Sequence, residues 1–148
     1  MTAVDRYTKR WVTLPDGRNV YGRIPGTSSV VILEHRLRDD LARHVRGYTE
    51  AVLPYGRADV MTEQSVFEVE PAGSWRAGVR QVLAYAAQTG LPPSLALFGE
   101  AHRDLVLKIY LRLRDGSPAI VLWWHNGWSW ERITSRAACR NMKDPQRV

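Results

Sequence analysis

The chain has a single cysteine, Cys139. It can close no internal disulfide and has no cysteine partner for a zinc site, which fits a reducing compartment and an inert thiol. No apolar run reaches the length a membrane helix needs, and no signal-peptide-like apolar segment follows Asp5, Arg6, Lys9 and Arg10. The expectation is a cytoplasmic protein with no membrane partner. Neither a phosphate-cradling GxxxxGK[ST] loop nor a GxSxG elbow is present, which argues against a nucleotide hydrolase or a serine hydrolase. His35 and His44 are not at the i, i+4 spacing of a zinc helix, and His102 and His125 have no evident partner. Lysine is scarce too, confined to Lys9, Lys108 and Lys143.

What the chain does have is arginine. The formal charge is +6 over 148 residues, nearly all of its positive side being guanidinium. Such a balance suits a polyanionic partner, because cationic surface raises both association rate and affinity for phosphate backbones. A GC-rich genome would produce the same usage, so charge needs a second witness. Apolar residues at 45% and charged residues at 24% describe an ordinary globular chain of one-domain size, without repeats or low-complexity tracts.

Periodicity places the elements. "YTKRWVTLPDGRNVYGRIPG" holds two strand-like runs around the Asp16–Gly17 turn and looks like a hairpin appended to the core. Leu33, Leu37, Leu41 and Val45 recur at helical spacing between Val31 and Arg46, with Arg36, Arg38, Asp39, Asp40 and Arg43 off that stripe. "TEAVLPYGRADVMTE", broken by Pro54 and Gly56, predicts a bent strand pair, and "SVFEVEP" a further strand. Ser74 stands as N-cap of a helix ended by Gly90. "SLALFG" is a buried strand; "DLVLKIYLRLRDG", ambiguous by period, is taken as a helix closed by Gly116. "AIVLWW" and "WSWERI" form a hairpin through Asn126 and Gly127, and the basic tail from Ser135 is expected to be loosely held.

Within "SVFEVEP" the pleat points Glu68 and Glu70 to one face of a strand. Two like charges side by side are unfavourable unless a cation separates them. Asp59 lies across a turn and could join them in an antiparallel pair, giving three oxygen-bearing side chains suited to a hard cation such as magnesium. A solvated face neutralised by nearby arginines is the plainer alternative.

The order "GRAD" ending at Asp59, "EVE" from Glu68 to Glu70, and a helix carrying "QVLAY" resembles the PD-(D/E)XK phosphodiesterase superfamily, in particular its lambda-exonuclease and RecB-type branch with a QxxxY motif. The likeness spans roughly 31–99. It implies an α/β restriction-endonuclease-like domain: a central mixed sheet flanked by helices, here with hairpins added at both ends. On that reading 1–30 is an N-terminal hairpin extension, 31–125 the core, and 126–148 a C-terminal hairpin and basic tail. It also implies a metal-dependent DNA nuclease using Mg2+ or Mn2+, with Asp59 and Glu68 as metal ligands and Glu34 touching the metal through water or a second ion. Gln81 and Tyr85, at i and i+4, would position backbone phosphate.

One departure stands out. The family's lysine is replaced by Glu70, so ExE stands for ExK. Glu70 could then serve as general base or second-metal ligand, as in restriction enzymes of the superfamily that carry ExE. A cation could instead arrive from Arg76 and Arg80 on the next helix, which with Arg57 are the DNA-binding candidates. Otherwise the site binds DNA without cutting it. A lone domain of this size points to a structure-directed nuclease or a nuclease subunit of a larger nucleoprotein assembly. Trp123, Trp124, Trp128 and Trp130 crowd the last hairpin; they would stack on bases, or pack a core or a homodimer interface.

Overall fold

The computed structural model describes residues 9–25 and 33–140. Asp16 and Gly17 do turn the chain, with Gly17 at φ +86° and its N–H donating to Leu14 O at 2.9 Å. The strands so joined, β1 (Lys9–Thr13) and β2 (Asn19–Arg23), pair antiparallel. Val12, Leu14 and Val20 are buried in the same core as the central strands, so the hairpin is an integral edge of the sheet and not an appendage.

Helix α1 (Leu33–Val45) follows; the predicted start at Val31 lies outside the described residues. Next come β3 (Tyr48–Leu53), β4 (Gly56–Met61) and β5 (Val66–Pro71), then α2 (Trp75–Thr89) and β6 (Pro93–Phe98). The remaining elements are α3 (Arg103–Arg114), β7 (Val121–His125), β8 (Trp130–Ile133) and the short α4 (Arg136–Arg140). The eight strands form one mixed sheet in chain order, β1 to β8. Neighbours are antiparallel except β5–β6 and β6–β7, which are parallel and joined through α2 and α3. The protein is therefore α/β, with helices on both faces of a mixed sheet.

Two apolar layers hold it together. On one face Val82, Tyr85, Val106, Ile109 and Leu113 of α2 and α3 meet Val66, Leu95, Leu97 and Leu122. On the other, Leu37, Leu41 and Ala42 of α1 meet Val60, Phe67, Val69, Ala96, Phe98 and Trp130. Each such leucine or phenylalanine contributes about 1.5–3 kcal/mol when fully buried.

Several expectations shift in detail. Ser74 makes no capping hydrogen bond, because a 3-10 turn over Ala72–Ser74 already leads into α2. The buried stripe of α2 is Trp75, Gly78, Val82, Tyr85 and Thr89, with Val79, Leu83 and Ala86 on its shoulder. Gly90 does close α2, in the left-handed conformation at φ +72°. The cap of α3 is Asp115, whose N–H bonds Leu111 O at 3.1 Å, and not Gly116. Asp39 is buried, held by the Arg38 guanidinium at 3.1 Å. The tail from Ser135 is not loose as far as Arg140: α4 packs on α3 and seats Cys139 in the core, where burial raises the thiol pKa. No helix among the described residues is long and apolar enough to cross a membrane.

Candidate functional site

The site begins with a failure of strand pairing. β4 and β5 share two registered pairs, Val60↔Phe67 and Met61↔Val66. The next pair would set Asp59 opposite Glu68, and there the ladder stops. Ala58 and Val60, two apart, should share a face by simple alternation, yet they lie in different cores. The chain thus rotates at Asp59, next to a matching distortion at Glu50 of β3, which holds φ +49°. The rotation sends the Asp59 carboxylate into the gap, where Oδ2 accepts the Val69 N–H at 2.8 Å. A side chain has taken the place of a strand carbonyl.

Glu68 is the partner brought alongside. It is 3% exposed, and its Oε2 has no hydrogen-bond partner. Burial first, and then the adjacent Asp59 carboxyl, hold its pKa well above the ordinary value, with Glu70 and Glu34 adding to the push. Glu70 sits on the same side of β5, its stem against α2 at Gly78: a Cβ at Gly78 would stand 2.9 Å from Glu70 Cγ. Burial, Glu34 and Asp59 push Glu70 up to about 7. Glu34, in the first turn of α1, is raised by burial and by Asp59. The four acids from α1, β4 and β5 therefore share one electrostatic environment at the splayed strands.

None of the four has an ion-pair partner among the described residues. Glu50 contrasts with them, since that half-buried glutamate lies 2.8 Å from Arg23 Nη1 and 3.3 Å from Arg38 Nη1. The chain neutralises the half-buried Glu50 with guanidinium and leaves the more deeply buried Glu68 without it. Arg76 and Arg80 do not fill that role. Both are exposed, Arg76 stands 4.5 Å over the Trp75 ring, and neither acts on Glu68 or Glu70. Arg57 is exposed on β4 opposite Val52.

Tyr85 reaches the acids from α2. Gly56, at φ +127°, opens β4, and a Cβ there would come within 3.0 Å of the Tyr85 ring and hydroxyl. Exclusion from solvent and the charge on Glu68 raise the phenol pKa, while hydrogen bonds from Gln81 and the Arg57 main chain partly offset them. Gln81 Nε2 donates to the Tyr85 hydroxyl at 3.4 Å. The amide and phenol thus stand together, as their i, i+4 spacing predicts.

Among the described residues, no group of three or more His, Cys, Asp or Glu side chains stands ready to hold a metal ion. The donors nevertheless fit a hard divalent cation in kind: carboxylate oxygens, one of them buried and unpartnered, with no guanidinium competing. Asp59 and Glu68 are the adjacent pair, and magnesium ordinarily completes its shell with water.

The tryptophan expectations divide. Trp130 and Trp124 are core residues, and Trp130 Nε1 donates to Leu37 O at 2.8 Å. Trp128 is 89% exposed in the turn before β8, outside the core that takes Trp130. Gly56 was legible as a chain break; its role as the seat of Tyr85 was not, because contact across 29 positions leaves no local signal. Compared with protein-family models, curated proteins and solved structures, the chain matches none.

Proposed function

We propose that this protein is a metal-dependent DNA nuclease whose centre is Asp59, Glu68 and Glu70, with Gln81 and Tyr85 as phosphate-positioning groups. The single observation that carries the reading is the buried Glu68 carboxyl beside Asp59, with no cation against it and its Oε2 without a hydrogen-bond partner. Burying an anion without a counter-charge costs several kcal/mol, which is tolerable only if a proton or a cation compensates it.

Asp59 and Glu68 would hold Mg2+ or Mn2+, with Glu34 acting through water. When bound, such an ion polarises a phosphoryl oxygen and lowers the pKa of an attacking water. Glu70, with its pKa near 7, is poised to take a proton from that water at neutral pH. This is the general-base role left open by the replacement of the family's lysine. Tyr85 keeps its proton because its pKa is raised, so the hydroxyl can donate to a phosphate oxygen while accepting from Gln81. The net charge of +6 favours a polyanionic substrate.

A second reading has its own support. Glu70 stands where the resembling family carries a cation, and no three-ligand group is assembled. A protein of this kind would bind DNA or assemble with partners without cleaving. Titration of Mg2+ and Mn2+ against a plasmid and a branched substrate separates the two. Cleavage lost in Asp59→Ala and Glu68→Ala supports the nuclease; DNA binding that survives both changes, with no cutting by the parent protein, supports the binding protein.

A further inference from the structure

Trp11 and Tyr21 are direct partners across the first hairpin, turned away from the core that takes Val12 and Val20. Their ring centroids are 3.5 Å apart at a 33° tilt, yet the residues remain 53% and 41% exposed. Among the described residues α1 packs mainly over β3, β4, β5 and β8, and not over the β1–β2 hairpin. β2 and β3 pair, among the described residues, only at Arg23↔Thr49. A shallow depression there is lined by Tyr21, Gly22, Arg23, Glu50, Val52 and Arg57.

Val52, also exposed, is the β-partner of Arg57. Arg57 has no ion-pair partner among the described residues. It precedes Asp59 by two positions on the same strand, about 7 Å along it. A stacked ring pair, a cleft and an unneutralised guanidinium thus lie in sequence across neighbouring strands, on the sheet face turned away from the core that takes Val12, Val20 and Ala58. Aromatic faces beside a cation match a nucleotide with an accessible base and a phosphate. A protein helix or a lipid would call for a broader apolar surface than two rings and a valine.

We propose that this path seats unpaired nucleotides of a DNA strand, with bases on Trp11 and Tyr21 and a backbone phosphate on Arg57. The substrate is then DNA with a single-stranded segment. The proposal rests on the nuclease reading for what happens at Asp59, but the binding does not require cleavage.

The test uses the full chain in EDTA, with fluorescence anisotropy on a labelled oligothymidylate and on a blunt duplex. Trp11→Ala and Tyr21→Ala are expected to weaken oligothymidylate binding about tenfold or more. Duplex binding should change by no more than about twofold, since phosphate contacts supply it. Trp11→Phe should retain most single-strand affinity. If Trp11→Ala fails to fold, Tyr21→Leu carries the same test, and Arg57→Gln should lower the salt dependence of oligothymidylate binding. Equal losses on both DNAs, or no loss on either, overturn the proposal. So does a dimer in sedimentation that Trp11→Ala dissolves while leaving DNA affinity intact, because the rings would then face a second copy. Ring-dependent single-strand binding without cleavage under any divalent ion sinks the nuclease reading alone. Cleavage indifferent to Trp11 and Tyr21 sinks the platform alone.

Discussion

Asp59 and Val69 are joined by a 2.8 Å hydrogen bond in which a carboxylate accepts a main-chain N–H that a neighbouring strand would otherwise bind. The bond keeps β4 and β5 apart beyond Val60↔Phe67, so Glu68 is buried beside an acid instead of opposite a paired residue. Splaying the strands and concentrating charge are one structural event. Asp59→Ala is therefore expected to do two things: abolish cleavage, and cost about 1–2 kcal/mol by leaving the Val69 N–H unsatisfied. Asp59→Asn, which keeps an acceptor, should restore most of that stability in a urea titration while remaining inactive. Equal stability of the alanine and asparagine forms would contradict the assignment.

Glu68→Gln tests the cost of burying a carboxyl that the fold must keep protonated while the unfolded chain is ionised. Without divalent ions at pH 8, the neutral amide should stabilise the fold by about 1–3 kcal/mol, the usual penalty of an unsatisfied buried polar group. Activity should vanish at the same time. A denaturant midpoint lower than that of the parent protein would mean the Glu68 carboxylate already has a compensating partner.

pH dependence follows from Glu70 and Glu68. Both hold their protons more tightly in the fold than in the unfolded chain. Between about pH 4.5 and 7 the unfolded state sheds its proton first, so the folded state binds more protons and stability falls as pH rises. Solvent reaches Glu70, which limits its share to roughly 1 kcal/mol, or a few degrees in Tm. Differential scanning fluorimetry in EDTA should show Tm declining across that interval, less steeply in Glu70→Gln, where the slope that Glu68 supplies remains. A rising Tm would reverse the sign and remove the physical basis for a proton-accepting Glu70.

Divalent ions should compensate for what the protons lose. Because a cation displaces protons from the same carboxylates, Mg2+ or Mn2+ should raise Tm more at pH 8 than at pH 6. At a hundredfold excess over Kd the gain is about 2.7 kcal/mol. Asp59→Ala and Glu68→Ala should erase it, and chelation should reverse it in the parent protein. A metal response that survives both substitutions would place the ion elsewhere.

The sequence made much of this arrangement legible, and the reasons are local. α1, α2 and the hairpins could be placed because apolar spacing and Asp–Gly, Asn–Gly and αL-glycine signals depend on near neighbours. Alternation put Glu68 and Glu70 on one face, and the turn between β4 and β5 brought Asp59 to them. The rotation at Asp59 against Glu50 was not legible, since it depends on which core each flanking residue joins. Nor was the exposure of Arg76 and Arg80, whose helix is turned so that Gly78 and Tyr85 face the sheet. Trp130 and Trp128 share a pleat on paper, yet the hairpin turn takes Trp128 out of the strand.

Gly56 provides the last test, because its backbone and its neighbour make the same demand. At φ +127° any side chain is strained by about 1–3 kcal/mol. An alanine methyl would also meet the Tyr85 ring and hydroxyl at 3.0 Å. The ring can yield only by leaving Glu68 and Asp59, so Gly56→Ala should lower both stability and cleavage. Tyr85→Phe isolates the hydroxyl: the ring still packs, stability should change by less than about 1 kcal/mol, and cleavage should fall roughly tenfold to a hundredfold, the range for a lost charge-positioning hydrogen bond. Combined, Gly56→Ala and Tyr85→Phe should cost less in activity than the product of the two single losses, because both remove the same phenol. Multiplicative losses would show that Gly56 acts on the site by a route other than Tyr85.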